Sequence, residues 1–283
     1  MIRIAVQSKG RLNEKSLELL NAAGVGINEN KRKFLTQASN FPLEVLYMRD
    51  DDIPQTVSMG VADLGIVGFN EVAERAYDLE ISKKLNFGKC RISLAIPKND
   101  KYTGLNYFNG KKIATSYPNI LKSFFKEKGI NAEIHVITGS VEIAPTVGLS
   151  DAIFDIVSSG GTLVSNGLVE VEQVIQSEAV LVANKNLTEE KKKVLEQLMF
   201  RFDAVIRARR AKYMLMNIPE ASIEKAIKIL PALRSPTILP LAMEGWCSLH
   251  SVVDETEMWD KIDKLKAIGA EGILVTDCEK IIM

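Results

Sequence analysis

The sequence is short of most features that would announce a function at once. Its three cysteines, Cys90, Cys247 and Cys278, lie far apart and are odd in number, so neither a disulfide framework nor a paired-cysteine zinc site is expected. No apolar run approaches the roughly 18 to 20 residues needed to cross a bilayer, so no membrane partner is expected. The opening MIRIAVQSKGRL enters an apolar strand without a charged leader or a cleavage site, and the expected location is cytoplasmic. Lys plus Arg total 36 and Asp plus Glu total 36. That balance leaves no global field to attract nucleic acid, so an anionic ligand has to be held by local devices. The two histidines, His135 and His250, sit in strand-like segments and read as structural. No G-x-x-x-x-G-K-[ST] sequence occurs, and the G-x-G near Gly24 lacks its third glycine, so neither a P-loop nor a Rossmann dinucleotide site is supported.

What is present is a strand and helix alternation. Residues 2–6 and 43–48 read as strands, and residues 12–23 place Leu12, Leu17, Leu20 and Ala23 near helical spacing. Asp52 is expected to cap a helix whose second residue is Pro54, and residues 62–68 return as a strand. Residues 87–97 read as one long strand. After it the alternation restarts with a strand at 112–116, a helix opening near Pro118 and a strand at 132–138, which implies a second α/β lobe. Gly60-Val61-Ala62-Asp63 before LGIVG and Gly148-Leu149-Ser150-Asp151 before AIFDIV echo one another, as two similar lobes facing a cleft would. A strand over 174–183 and a long helix capped by Thr188 follow, with acids first and arginines last as the helix dipole prefers. The order from 213 to 276 is strand, helix, strand, strand, helix, strand, the ferredoxin-like pattern.

The segment richest in chemistry is EIAPTVGLSDAIFDIVSSGGTL. A buried strand empties into Ser158, Ser159, Gly160, Gly161, Thr162 and Leu163, where small residues let backbone N–H groups surround a phosphate and the hydroxyls add donors. Asp151 and Asp155 upstream can accept hydrogen bonds from ribose hydroxyls or hold Mg²⁺ through water.

The spacing E-x5-G, then D-x3-D and SSGGTL, resembles the signature of the ATP phosphoribosyltransferase family. Lys9-Gly10-Arg11-Leu12, Arg49, Ala62-Asp63-Leu64-Gly65-Ile66 with Gly68, Ala114-Thr115-Ser116-Tyr117-Pro118 and Gly139-Ser140-Val141-Glu142 agree with it. Ser235-Pro236-Thr237-Ile238-Leu239-Pro240-Leu241 and residues 266–269 resemble the regulatory domain of its long form. The resemblance implies an α/β fold with a two-lobe core like the periplasmic binding proteins, lobe I being residues 1–90 with 180–210 and lobe II residues 91–179. A ferredoxin-like regulatory domain would occupy 211–283. It implies phosphoribosyl pyrophosphate on Asp151, Asp155 and residues 158–163, and ATP near Lys9, Arg11, Arg49, Asp63, Tyr117 and Glu142. Lys9, Arg11, Glu142 and Asp155 carry the expected catalytic roles, with Mg²⁺ brought by substrate phosphates rather than by a fixed protein site. Histidine is the implied inhibitor, expected near Asn217, Leu233, Ser235, Thr237 and Gly272, although an acid would suit its ammonium better than Asn217. A homo-oligomer, dimer to hexamer, is also implied. The rivals are a non-catalytic two-lobe binder, against which the loop and its acids argue, and a short-form chain, against which residues 211–283 argue.

Overall fold

The computed structural model describes residues 1–27, 34–230, 233 and 235–283. The chain divides into two compact units, Met1–Glu18 with Val25–Leu195, and Leu19–Gly24 with Glu196–Met283. It begins β1 (Ile2–Gln7), α1 (Arg11–Ala22), β2 (Leu35–Gln37), β3 (Leu43–Met48), α2 (Ile53–Ser58), β4 (Leu64–Gly68), α3 (Phe69–Arg75) and β5 (Glu80–Lys84). It continues β6 (Cys90–Pro97), β7 (Lys112–Thr115), α4 (Pro118–Lys128), β8 (Glu133–Val136), β9 (Ala152–Val157), α5 (Gly161–Ser165), β10 (Leu168–Ser177), β11 (Ala179–Ala183) and α6 (Glu189–Ala208). The first unit holds two sheets, ordered β2-β3-β1-β4-β11-β5 and β10-β6-β9-β7-β8. These are the two α/β lobes that the alternation predicts. Continuous apolar runs such as LGIVG in β4 are buried on both faces, as parallel strands under helices require.

The chain crosses between the lobes twice. The expected single strand over 174–183 is in fact two: β10 closes the second sheet as an edge strand, and β11 belongs to the first. Most of β10 escapes a sequence reading because Glu170, Glu172, Gln173 and Gln176 break its apolar pattern. The other crossing also shortens a predicted strand. Residues 85–89 lie outside β6 although Leu85 and Phe87 are buried, because Gly88 turns the backbone at φ +64°. The two crossings are tied together where Leu85 N–H donates to Ala179 O and Ala179 N–H to Phe87 O, both at 2.9 Å. Asp52 departs from expectation too: residues 50–52 form a 3-10 turn, and Asp52 makes no side-chain cap bond to α2. Thr188 does accept from the Lys191 N–H, at 3.4 Å.

The echoed sequences have a shared structural role. Asp63, just before β4, takes the Arg3 N–H on its carboxylate at 2.8 Å while its own N–H donates to Arg3 O at 2.9 Å. Asp151, just before β9, does the same with Lys112, at 2.8 Å in each direction. In each lobe an aspartate thus clamps the start of one parallel strand to the start of its neighbour.

In the second unit β12 (Ala211–Pro219), α7 (Ile223–Ile229), β13 (Thr237–Pro240), β14 (Trp246–Asp254), α8 (Met258–Ala267) and β15 (Glu271–Asp277) form an antiparallel sheet ordered β13-β14-β12-β15, the ferredoxin-like arrangement. Met214, Met216, Ile218 and Leu249 pack with Ala226 and Leu265 of the helices. Alternation leaves Tyr213, Leu215 and Asn217 on the other face of the sheet. Among the described residues no helix is long and apolar enough to cross a membrane.

Candidate functional site

In open α/β sheets, ligands bind at the carboxyl ends of the strands. At that end of β9 the chain turns through Ser158 and Ser159 to Gly160, whose φ of +82° suits glycine. Gly161 then opens α5, with its N–H 3.4 Å from Ser159 Oγ. The N–H groups of Ser159, Gly160, Thr162 and Leu163 meet no protein acceptor among the described residues. Leu163 is buried and anchors the turn. With five residues, α5 adds little dipole, so the local N–H groups and hydroxyls are what the loop offers an anion.

Asp155 lies two residues before Val157, half-buried, and accepts the Ile156 N–H at 2.8 Å. Burial, opposed by that bond and assisted by the charge of Glu142, pushes its carboxyl up to about 6. The charge of Glu142 thus reaches Asp155. Beside them, Arg91 grips Glu170, and the Ser93 hydroxyl donates to Glu170 at 2.7 Å. Arg91 also donates to the Ser158 carbonyl at 3.1 Å, holding the start of the loop. A cavity of about 580 Å³ opens here, lined from both lobes by Phe69, Lys84, Lys89, Arg91, Ser158 and Gln176 among others. Ser158 is the one expected site residue in its wall among the described residues, so it borders the expected site rather than forming it.

The other expected residues divide. Lys9 and Arg11 are exposed at the carboxyl end of β1, where Gly10 turns at φ +91°, and no acid pairs with either among the described residues. Arg49 also follows its strand, but its guanidinium is engaged with Asp51 at 3.1 and 3.2 Å, so a phosphate would have to compete for it. Asp63 and Asp151 stand at the opposite ends of their strands from the loop, occupied by the clamps described above, and Asp63 also takes Lys191 at 2.7 Å. A strand such as β9 spans six residues, about 20 Å at the usual rise. The Asp151 carboxylate is thus held a strand's length from residues 158–163, against the expectation for it, and Asp63 is held at the amino end of β4 by Arg3 and Lys191. Tyr117 is buried, its hydroxyl donating to Glu71 at 3.1 Å and receiving Asn70 Nδ2 at 3.2 Å. It contacts the other lobe and does not stand open to a ligand. Nothing in the sequence pattern singles out Asn70, Glu71 or Glu74, and Arg91 was passed over as well. A polar residue on an otherwise apolar strand was the available signal for Arg91, and none was available for the three on α3.

In the second unit, Asn217 and Gly272 are neighbours: a Cβ on Gly272 would lie 3.4 Å from Asn217 Nδ2. Thr237 on β13, two strands from β12, pairs with His250, the Ser235 hydroxyl donates to Pro236 O at 3.2 Å, and Leu233 is exposed. Between these two groups runs a polar row in which His250 meets Tyr213 Oη at 2.5 Å and Ser248 Oγ at 3.1 Å.

Comparisons with known proteins agree on one family. A family model described as ATP phosphoribosyltransferase matches residues 49–204, and one described as HisG, C-terminal domain, matches residues 208–280. A protein named ATP phosphoribosyltransferase from Bacteroides thetaiotaomicron is 62% identical over 283 residues, covering 100% of each chain. One of the same name from Cytophaga hutchinsonii is 50% identical over 282 residues, covering 100% of this chain and 99% of that one. Among solved structures, the ATP phosphoribosyl transferase (HisG:HisZ) complex from Thermotoga maritima superposes with a TM-score of 0.63 at 29% identity, over 71% of this chain and 96% of that one.

Proposed function

The chain belongs to the ATP phosphoribosyltransferase family, and on that premise we propose that it joins N1 of the adenine of ATP to C1 of the ribose of phosphoribosyl pyrophosphate. The N1–C1 bond forms as the C1–O bond breaks, with inversion, and pyrophosphate leaves with the electron pair. The observation that carries this reading is the loop of residues 158–163, whose unpartnered N–H groups stand beside a half-buried Asp155. The loop would take the 5′-phosphate, and Asp155, ionised above about pH 6, would accept the ribose hydroxyls and fix the ring. The neutral adenine nitrogen needs no activated nucleophile from the protein. In-line placement and neutralisation of the leaving group are what remain to be supplied, and Lys9 and Arg11, exposed and without an acidic partner among the described residues, suit the second task.

The donor set fits a Mg²⁺ held chiefly by substrate phosphates. The charges of Asp155 and Glu142 act on one another, and carboxylate oxygens of this kind suit Mg²⁺. Bound there, Mg²⁺ would neutralise pyrophosphate charge.

This reaction would open histidine biosynthesis in the cytoplasm, with histidine inhibiting by binding the outer face of the second unit's sheet and favouring a hexamer built from dimers. Support comes from the polar row of Tyr213, Ser248 and His250 lying between Thr237 and Asn217. The deciding experiment mixes the pure protein with ATP, phosphoribosyl pyrophosphate and Mg²⁺ and follows pyrophosphate together with an N1-substituted adenine. Absence of both with folded protein sinks the assignment. Activity unaffected by histidine sinks the regulatory part alone.

A further inference from the structure

Helix α4 opens with Tyr117 at its N-cap and Pro118 after it, and its cap residue makes no side-chain bond to the helix. Its first free N–H groups are satisfied from the opposite lobe. The Glu74 carboxylate, on α3, accepts the Asn119 N–H at 2.9 and 3.1 Å and the Ile120 N–H at 3.0 Å, and Asn119 Nδ2 donates to Glu74 O at 3.1 Å. Glu74 is 4% exposed and has no basic partner among the described residues. A buried carboxylate without a counter-ion persists only where donors surround it, and a helix N-terminus is such a place. If the lobes parted here, that charge and two backbone donors would lose their partners at once.

The same contact continues one turn earlier. Asn70 Nδ2 donates to Glu71 at 2.9 Å, Asn70 N–H donates to Ser177 Oγ at 3.0 Å, and the Ser177 hydroxyl donates to Asn70 Oδ1 at 2.8 Å. Ser177 ends β10 at the crossing between lobes. The contact also borders the expected chemistry. Strand β7, which leads into α4, pairs Thr115 with Phe154, next to Asp155. Burial, the charge of Glu71 and the charge of Asp155 all hold the Tyr117 phenol above its usual range.

We propose that Glu74 is a positioning residue for phosphoribosyl transfer: by capping α4 from the facing lobe, it fixes the separation between the lobe bearing Lys9 and Arg11 and the lobe bearing Asp155 and the phosphate loop. The proposal rests on the two-substrate reading above. Its mark is a loss of turnover without a matching loss of donor binding, because the donor's loop lies wholly in one lobe.

The test compares Glu74→Ala, Glu74→Asp and Glu74→Gln, with kcat from steady-state rates, the Kd of phosphoribosyl pyrophosphate from calorimetry, and folding from circular dichroism. Misplacement of reacting groups by about an ångström costs on the order of 100-fold in rate, which sets the expected fall in kcat for Ala. Asp keeps the charge but is one methylene short and should behave like Ala. Gln keeps length and one acceptor oxygen and should recover most of the turnover. Donor Kd should stay within about threefold throughout, a small change on the affinity scale. A folded Asp or Ala variant with wild-type kcat overturns the proposal, and so does a donor Kd that rises by the same factor as kcat falls. Should Ala fail to fold, the Asp and Gln variants decide by the same criteria. An inactive wild-type protein would instead overturn the reaction reading.

Discussion

Gly161→Val separates ligand binding from folding more cleanly than any other change in the loop. Among the described residues, a Cβ added at Gly161 meets only Ser159 Oγ, at 3.6 Å, which is ordinary contact. Its backbone is not left-handed, unlike that of Gly160 at φ +82°. Valine is also the better helix former by a few tenths of a kcal/mol, so the unliganded fold should tolerate it and Tm should stay within about 4 °C. A phosphate oxygen, however, must come within about 2.9 Å of a loop N–H, and a branched side chain there denies that approach. Each charge-assisted hydrogen bond lost costs about 1.5–3 kcal/mol, so losing one raises the donor Kd about 10- to 100-fold. Calorimetric titration with phosphoribosyl pyrophosphate and separately with ATP reads the effect, with the ATP Kd expected within about twofold. An unchanged donor Kd would place the phosphate elsewhere and refute the reasoning. Gly160→Val is the control, because its strained backbone should lower Tm as well.

Asp155, pushed up to about 6, should make kcat/KM for the donor rise with pH through that value, and Asp155→Asn should flatten the profile and cost about 10- to 100-fold in activity. Because the folded-state value is raised, the stability tied to the protonated form is fully present below about pH 4 and lost as pH rises through 6. Thermal melts should therefore show Asp155→Asn more stable than wild type near about pH 8, and equal Tm values there would contradict the raised value. Asp151→Ala should destabilise the fold by about 0.5–1.5 kcal/mol through loss of the solvent-exposed bond to the Lys112 N–H, measured by urea unfolding, while leaving donor affinity unchanged; selective loss of donor binding would restore Asp151 to the site. Lys9→Ala and Arg11→Ala, at exposed unpaired positions, should each lower kcat at least about tenfold with stability within about 0.5 kcal/mol, and full activity in either would remove that residue from the leaving-group side.

The elements of both units could be read locally, since the period of apolar residues along a strand or helix is set by a few neighbours. Strand β3 and helix α4 begin where their patterns say they should. The turn of residues 158–163 was equally legible, because serines and glycines at the end of a buried strand state their backbone demands in the sequence itself. The Asp63 and Asp151 echo was visible too, but its meaning was not. An aspartate between a helix and a strand reads as a ligand group until the neighbouring strand's N–H is placed against it. Polar edge strand β10 and short helix α3 carried too weak a local pattern to be recognised. Partnership, unlike period, is a long-range property: Glu74 lies 45 residues from Asn119 and Ser177 lies 107 from Asn70, and no local spacing encodes such pairs. Only the tertiary structure could decide that Tyr117 serves the contact between lobes, that Arg49 is already held by Asp51, and that burial beside Glu142 brings Asp155 to titrate near neutrality, because each depends on which groups the fold brings out of water together.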